Sequence, residues 1–277
     1  MNQTAANYKL VHWIRLALLK SIFPQSKKGN LMALANHRLV EFPEYLITTA
    51  YKQPDLRNEE PFSRLAGRAI ASRKTLLNYD RLYTLYNAIQ SAKATSKGRH
   101  FHAVEIGVFK GGGSRFIAET LALHSTNKLS LDCFDTFAGH NKQDLSEARD
   151  RLDVHTTKVF QDTSLEAVET LLKPFSFAKC HPGRFEDSCA ELEAATLDFV
   201  HLDVDLHGPT LHALKFLLPR TRPGGCIIVD DYRFVTCPGA KEAVDEFIHK
   251  NTDNFGIPLL TGQYLIVKSE VAAELKR

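Results

Sequence analysis

His102-Ala103-Val104-Glu105-Ile106-Gly107-Val108-Phe109-Lys110-Gly111-Gly112-Gly113-Ser114 is the stretch from which the fold is read. Its first half is an apolar run of strand length, its middle a glycine-rich turn, and its end the start of an amphipathic helix. Glycine lets backbone approach a ligand closely, and the helix N-terminus beyond it attracts polar or anionic groups. A dinucleotide fold would want a second glycine where Phe109 stands, so G-x-G-x-x-G is not satisfied and a nicotinamide cofactor is disfavoured. A side chain at Gly107 is expected to fill ligand space and leave the fold intact. A glycine needed only for strand-to-helix packing is the competing reading. Glu105, an acid inside an apolar strand, is costly to bury unless something pairs with it.

Downstream, short apolar runs alternate with amphipathic ones, at 101–108, 114–123, 129–134, 165–172, 197–202, 210–218, 226–229, 240–249 and 264–267. That alternation is the signature of a doubly wound α/β sheet. Upstream the periodicity is helical without clear strand signals, as in Leu10, Ile14, Ala17, Leu18 and again in Leu82, Leu85, Tyr86, Ile89. The expected organisation is a helical appendage over residues 1–99, set off by the polar run 91–100 from a catalytic domain over residues 100–277. The apolar residues between Tyr8 and Lys20 cover more than one helical face, which favours packing on the catalytic domain or a second subunit over contact with a membrane surface.

The second strand-like run delivers Asp135 to its C-terminal end, where a carboxylate can accept ribose hydroxyls. Asp132 competes for that role from inside the strand, and a turn or helix cap is the structural alternative for Asp135. After the third strand, the turn Pro182-Gly183-Arg184-Phe185-Glu186-Asp187 falls where an adenine would lie.

The strongest chemistry is in Leu197-Asp198-Phe199-Val200-His201-Leu202-Asp203-Val204-Asp205 and Cys226-Ile227-Ile228-Val229-Asp230-Asp231-Tyr232. Both are apolar strands ending in paired acids. Strand C-termini form the ligand crevice of an open parallel sheet, so Asp203, Asp230 and Asp231 can converge there. Three carboxylates in one place repel unless a cation joins them, and oxygen ligands favour Mg²⁺, with Mn²⁺ or Ca²⁺ as alternatives. Asp203, as a metal ligand, has its lone pairs committed, whereas Asp205 two residues on stays free to take a proton. His207 and His140 are rival bases, expected instead as surface or lid histidines. Pro223-Gly224-Gly225 reads as the turn that lets the next strand begin.

The order E-I-G-V-F-K-G-G-G-S, F-D-T-F-A-G, H-L-D-V-D-L, P-G-G-C-I-I-V-D-D-Y and P-G-A-K-E-A-V-D-E-F resembles the macrocin O-methyltransferase (TylF-type) family over about residues 78–268. The resemblance implies a Rossmann-like class I methyltransferase that binds S-adenosylmethionine under the glycine turn, through Glu105, Gly107, Val108, Ser114, Asp135, Arg184 and Phe185. It implies Mg²⁺ on Asp203, Asp230 and Asp231, with Asp205 and Asp203 catalytic, and methylation of a sugar hydroxyl on a glycosylated natural product. It also points to a lid or oligomer role for the N-terminal helices, hence a homo-oligomer. The family often has tryptophan and arginine where Phe109 and Lys110 stand, and tyrosine where His207 stands.

Composition removes other classes. A net charge of +3 over 277 residues, without a Lys/Arg block, makes nucleic acid an unexpected partner. Five cysteines without C-x-x-C spacing read as reduced cytoplasmic thiols. The apolar stretch 10–23 is interrupted by Arg15 and Lys20 and is too short to span a bilayer. Two other functions compete. A metal-dependent nucleotide-sugar glycosyltransferase would use Asp203-Val204-Asp205 as its D-x-D, but leaves the glycine turn and the second acidic pair unexplained. A non-catalytic methyltransferase-like binding module does not need the acids that stand at every expected position.

Overall fold

The apolar run before the glycine turn becomes the central strand of a seven-stranded sheet. The computed structural model describes residues 59–96, 98–123 and 128–269, and the helical reading of residues 8–20 lies outside them. In chain order the elements are α1 (Phe62–Ala71), α2 (Tyr79–Ser96), β1 (Phe101–Ile106), α3 (Gly112–Ala122), β2 (Leu129–Asp135), α4 (Leu165–Leu172), β3 (Ala178–Pro182) and the one-turn α5 (Phe185–Ser188). Then follow β4 (Leu197–Leu202), α6 (His207–Arg220), β5 (Thr221–Val229), α7 (Pro238–Lys250), β6 (Phe255–Pro258) and β7 (Tyr264–Val267). The sheet order is β3-β2-β1-β4-β5-β7-β6. Strands β1 to β5 run parallel, and β7 lies antiparallel between β5 and β6.

Period-2 alternation assigns the two faces. Val104, Ile106, Phe134, Val200, Leu202, Ile227 and Val229 pack with Leu214 and Leu217 of α6 and Val244 and Phe247 of α7. The opposite face is covered by α2, which contacts β4 and β5, and by α3 on β2. Helix α1 packs on α2 and α3, where its Phe62 ring meets Tyr83 edge-on at 5.0 Å and Phe116 at 6.4 Å. The Leu82, Leu85 and Ile89 stripe is fully buried as its periodicity predicts. Helix α2 runs on through the polar residues to Ser96, so only a few residues separate it from β1. No helix among the described residues is long and apolar enough to cross a membrane.

Two details differ from the sequence reading. Pro223-Gly224-Gly225 is not a turn before β5 but an irregularity inside it, where Gly224 takes φ +75° and the register with β4 shifts. A Cβ on Gly225 would press on the Asp198 carbonyl oxygen at 3.1 Å, so the strand needs a bare backbone at that point. The four-residue strand β6 has weak alternation and was not foreseen.

At the N-terminal edge of the sheet, Arg222 holds several elements together. Its Nε donates to Asp198, and its Nη2 donates to the Ala92 carbonyl at 2.8 Å and to Thr95 Oγ1 at 3.1 Å. Asp198 in turn accepts the His102 backbone N–H at 2.8 Å. Arg222→Ala leaves the buried Asp198 carboxylate without its cation, and removing one partner of such a pair costs about 3–5 kcal/mol. Urea denaturation should show a loss of that size, whereas a midpoint equal to wild type would mean that the pair contributes nothing net.

Candidate active site

The strand order reverses between β1 and β4, and the crevice of an open α/β sheet lies at such a point. Gly107 stands on one side of it and Asp203 on the other. The Asp203 N–H donates to the Ile106 carbonyl at 2.8 Å, and Gly107 takes φ +89°. A Cβ on Gly107 would overlap the Asp203 carbonyl oxygen. The expectation that a side chain there would fill only ligand space is therefore corrected: the glycine is required because two strand ends touch.

Asp135 latches the turn. Its Oδ2 accepts the N–H groups of Val108 and Phe109 at 2.7 and 2.8 Å, and its Oδ1 accepts that of Phe137 at 2.6 Å. These contacts supply the turn cap that was the alternative reading of Asp135. Phe109 and Phe137 both have left-handed backbone, at φ +50° and +51°, an unusual state for bulky residues that tends to mark functional loops. Asp132 is bound on both oxygens, by His102 Nε2 and His181 Nε2 at 2.6 Å each. Burial opposes its ionisation, but those two hydrogen bonds outweigh it and hold the carboxyl well below the usual range.

The remaining residues expected around a donor are placed unevenly. Glu105 is buried, with Oε2 bonded to the Ser114 hydroxyl and Oε1 3.0 Å from His201 Nδ1, so Glu105 and Ser114 brace the turn from within. Phe185 is a core residue, edge-on to Phe134 at 5.2 Å and to Phe216 at 5.7 Å. Arg184 is paired with Asp144, its Nε and Nη2 on the same Oδ1 at 2.8 and 2.5 Å.

The acids do converge. One carboxylate oxygen from each of Asp203, Asp230 and Asp231 lies within 4.8 Å of the others. Asp230 Oδ1 accepts from Gln263 Nε2 at 2.7 Å and faces His201 Nε2 at 3.5 Å. Arg81 Nη2 forms an ion pair with Asp230 Oδ2 at 2.5 Å, and that oxygen has no hydrogen-bond partner besides. Burial and then the charges of Asp230 and Asp231 push the Asp203 carboxyl well above its ordinary value, and burial with Asp205 and Asp230 does the same to Asp231. Asp230 goes the other way: burial opposes its charge, but Arg81 and then His201 outweigh it. A crowded all-oxygen cluster of three carboxylates fits a hard divalent cation.

Asp205 adjoins the cluster. Its backbone is left-handed at φ +62°, its N–H donates to Asp231 Oδ2 at 3.2 Å, and its Oδ1 accepts from the Cys237 thiol at 3.2 Å. Burial and then Asp203 raise its carboxyl to about 7. His140, read as a surface or lid histidine, lies half-buried with Nε2 3.8 Å from Asp205 Oδ2 and 3.2 Å from His155 Nδ1. Burial and then His155 lower it to about 4, so its ring is neutral at physiological pH. His207 also departs from expectation: it is buried at the start of α6, its N–H on Asp150 Oδ1 at 2.9 Å and its Nε2 3.1 Å from Arg149 Nη1.

Sequence reasoning missed Arg81, His155, His201, Gln263 and Cys237 as parts of this region. His201 alone carried a signal, as an ionisable residue within an apolar strand facing Glu105 in register. The others come from distant segments with no motif of their own.

Comparison with known proteins agrees with this architecture. The macrocin O-methyltransferase (TylF) family model matches residues 14–260. The chain is 30% identical over 191 residues, 66% of its own length and 71% of the relative's, to a tetracenomycin-C 4'-O-methyltransferase of Streptomyces olivaceus whose named acceptor carries a dimethoxyrhamnosyl group. It is 27% identical over 181 residues, 62% and 69% of the two lengths, to the mycinamicin III 3''-O-methyltransferase of Micromonospora griseorubida. In fold it resembles the O-methyltransferase NovP, at a TM-score of 0.64 and 23% identity, covering 81% of this chain and 95% of that one. These matches leave no room for the glycosyltransferase reading of Asp203-Val204-Asp205.

Gly107→Ala combines a left-handed alanine with overlap on Asp203, together about 2–5 kcal/mol. Its urea midpoint should fall accordingly, and a variant of wild-type stability would show that the strand ends do not touch as described.

His201 supplies a pH dependence. Burial works against its charged form, but hydrogen bonds to Asp230 and Glu105 outweigh it and raise the ring from 6.5 to about 10. Its contribution to stability is therefore full below about pH 6.5 and lost as the pH rises towards about 10. In chelator, wild-type stability should decline across that window and His201→Gln should decline less; equal slopes would refute a charged His201.

Proposed function

This chain belongs to the macrocin O-methyltransferase (TylF) family and is an S-adenosylmethionine-dependent O-methyltransferase, and from that premise we propose that it methylates a sugar hydroxyl of a glycosylated natural product with the help of Mg²⁺. The observation that carries the metal is the convergence of Asp203, Asp230 and Asp231, one carboxylate oxygen of each within 4.8 Å of the others. The acceptor class is supported by the relatives, one named for the 4'-O position of a rhamnosyl tetracenomycin-C and another for the 3''-O position of mycinamicin III.

When bound, the donor supplies a methyl group on sulfonium, and a divalent ion held by Asp203, Asp230 and Asp231 supplies a Lewis acid for the acceptor oxygen. The chain's own residues do the rest. Asp205 takes the acceptor proton on Oδ2, the oxygen left free by the Cys237 thiol on Oδ1. Arg81 and His201 keep Asp230 ionised, and Gln263 orients it. The backbone of the Gly107 turn together with Asp135 would hold the donor, with Glu105 and Ser114 holding the turn.

Chelator should abolish methyl transfer to a rhamnosylated acceptor while calorimetry still records S-adenosylhomocysteine binding. Asp203→Asn or Asp231→Asn should recover part of the rate at high Mg²⁺. Asp205→Asn should lose about 10²–10⁴ in rate at any Mg²⁺ concentration. Full turnover in chelator would remove the metal from the reaction, and a normal rate in Asp205→Asn would remove the base.

A further inference from the structure

On the side of Asp205 away from the acidic cluster, two imidazoles and a carboxylate face one another. His140 Nε2 is 3.2 Å from His155 Nδ1 and 3.8 Å from Asp205 Oδ2, and one donor atom from each of the three residues lies within 4.8 Å of the others. Nitrogen and oxygen ligands at about 2.0–2.2 Å from a tetrahedral ion stand roughly 3.3–3.6 Å apart, so the 3.2 and 3.8 Å separations lie within a few tenths of an ångström of two edges of such a site. We infer that His140, His155 and Asp205 form a second metal site, selective for a borderline transition ion of the Zn²⁺ or Co²⁺ class.

Three further observations support it. His155 Nε2 lies 2.8 Å from the Thr236 carbonyl oxygen, which can only accept, so Nε2 carries the proton and Nδ1 presents its lone pair to the other two ligands. A ligating histidine usually donates its second ring N–H to a carbonyl or carboxylate in this way, which fixes tautomer and ring orientation. Asp205 is positioned from two sides, by its N–H on Asp231 and by the Cys237 thiol on Oδ1, and this leaves Oδ2 pointing at His140. His155 is almost fully buried, and the ring of Phe160 stands edge-on to His140 at 5.3 Å.

The two sites sort metals by ligand type. Asp203, Asp230 and Asp231 offer oxygen alone and suit a hard ion, whereas two imidazoles with one carboxylate suit an ion further along the Irving–Williams order. They are joined by the hydrogen bond from the Asp205 N–H to Asp231. Resting on the role of Asp205 proposed above, a Zn²⁺-class ion would occupy the oxygen that accepts the acceptor's proton, and would inhibit methyl transfer without displacing Mg²⁺.

The test is a Co²⁺ titration of the full chain with Mg²⁺ in excess. Wild type should take up one equivalent and develop the intense visible bands of four-coordinate, imidazole-ligated Co²⁺. His140→Gln and His155→Gln should each lose the bands, whereas Asp230→Asn should keep them. No such bands in wild type, or bands that survive both histidine variants and vanish in Asp230→Asn, would overturn the site. In turnover assays with excess Mg²⁺, Zn²⁺ should inhibit wild type, and His140→Gln should need about tenfold more Zn²⁺ or beyond, the scale on which a ligand-shell change weakens metal affinity. Equal Zn²⁺ sensitivity would overturn the inhibitory role. The cobalt spectrum uses neither donor nor acceptor, so it stands or falls independently of the proposed reaction.

Discussion

A row of buried ionisable groups runs across the centre of the sheet, and the site depends on it. Glu105 on β1, His201 on β4 and Asp230 at the end of β5 follow one another on a single face, closed at one end by Ser114 of α3 and at the other by Arg81 of α2. Any one of these groups buried alone would be very unfavourable. Paired, they tie three parallel strands and two helices into one register, and they leave Asp230 charged with one oxygen short of a hydrogen bond.

Excess negative charge then governs what lies beyond the row. Arg81 and His201 together offset Glu105 and Asp230, but Asp203, Asp231 and Asp205 follow within a few residues of the same strand ends. Protonation or a bound cation are the two ways to relieve such crowding, and the raised carboxyls of Asp203 and Asp231 express the first. The strand-order reversal puts this cluster against the glycine turn, so a methyl donor and a metal-bound acceptor would meet with little chain between them. Backbone in the left-handed region at Phe109, Phe137 and Asp205 follows the same rim, where packing must hold residues in conformations they do not favour.

Asp205 is where the two sets of side chains meet. It shares a hydrogen bond with Asp231 on one side and faces His140 and His155 on the other. A residue with ligating atoms on both sides is open to control as well as catalysis, because whatever holds its free oxygen decides whether it can accept a proton.

Much of this was legible in the chain itself. Period-2 runs ending at Ile106, Leu202 and Val229 place β1, β4 and β5, and the rule that ligands gather at strand C-termini brings Asp203, Asp230 and Asp231 together before any coordinate is known. These are local properties, spacing along one strand combined with a topology that few sequences escape. Arg81, His155, Gln263 and Cys237 are different: they reach the site from segments up to 180 residues apart, and nothing local marks them. Gly107 and Phe185 show the same limit from the other direction. Their sequence context says nothing of the neighbouring strand's carbonyl that also requires a bare Gly107, nor of the aromatic core that the Phe185 ring joins. Local sequence determined which strands end in acids; only the packing of distant segments decided which cations, imidazoles and carbonyls stand beside them, because close approach in space is a property of the whole chain.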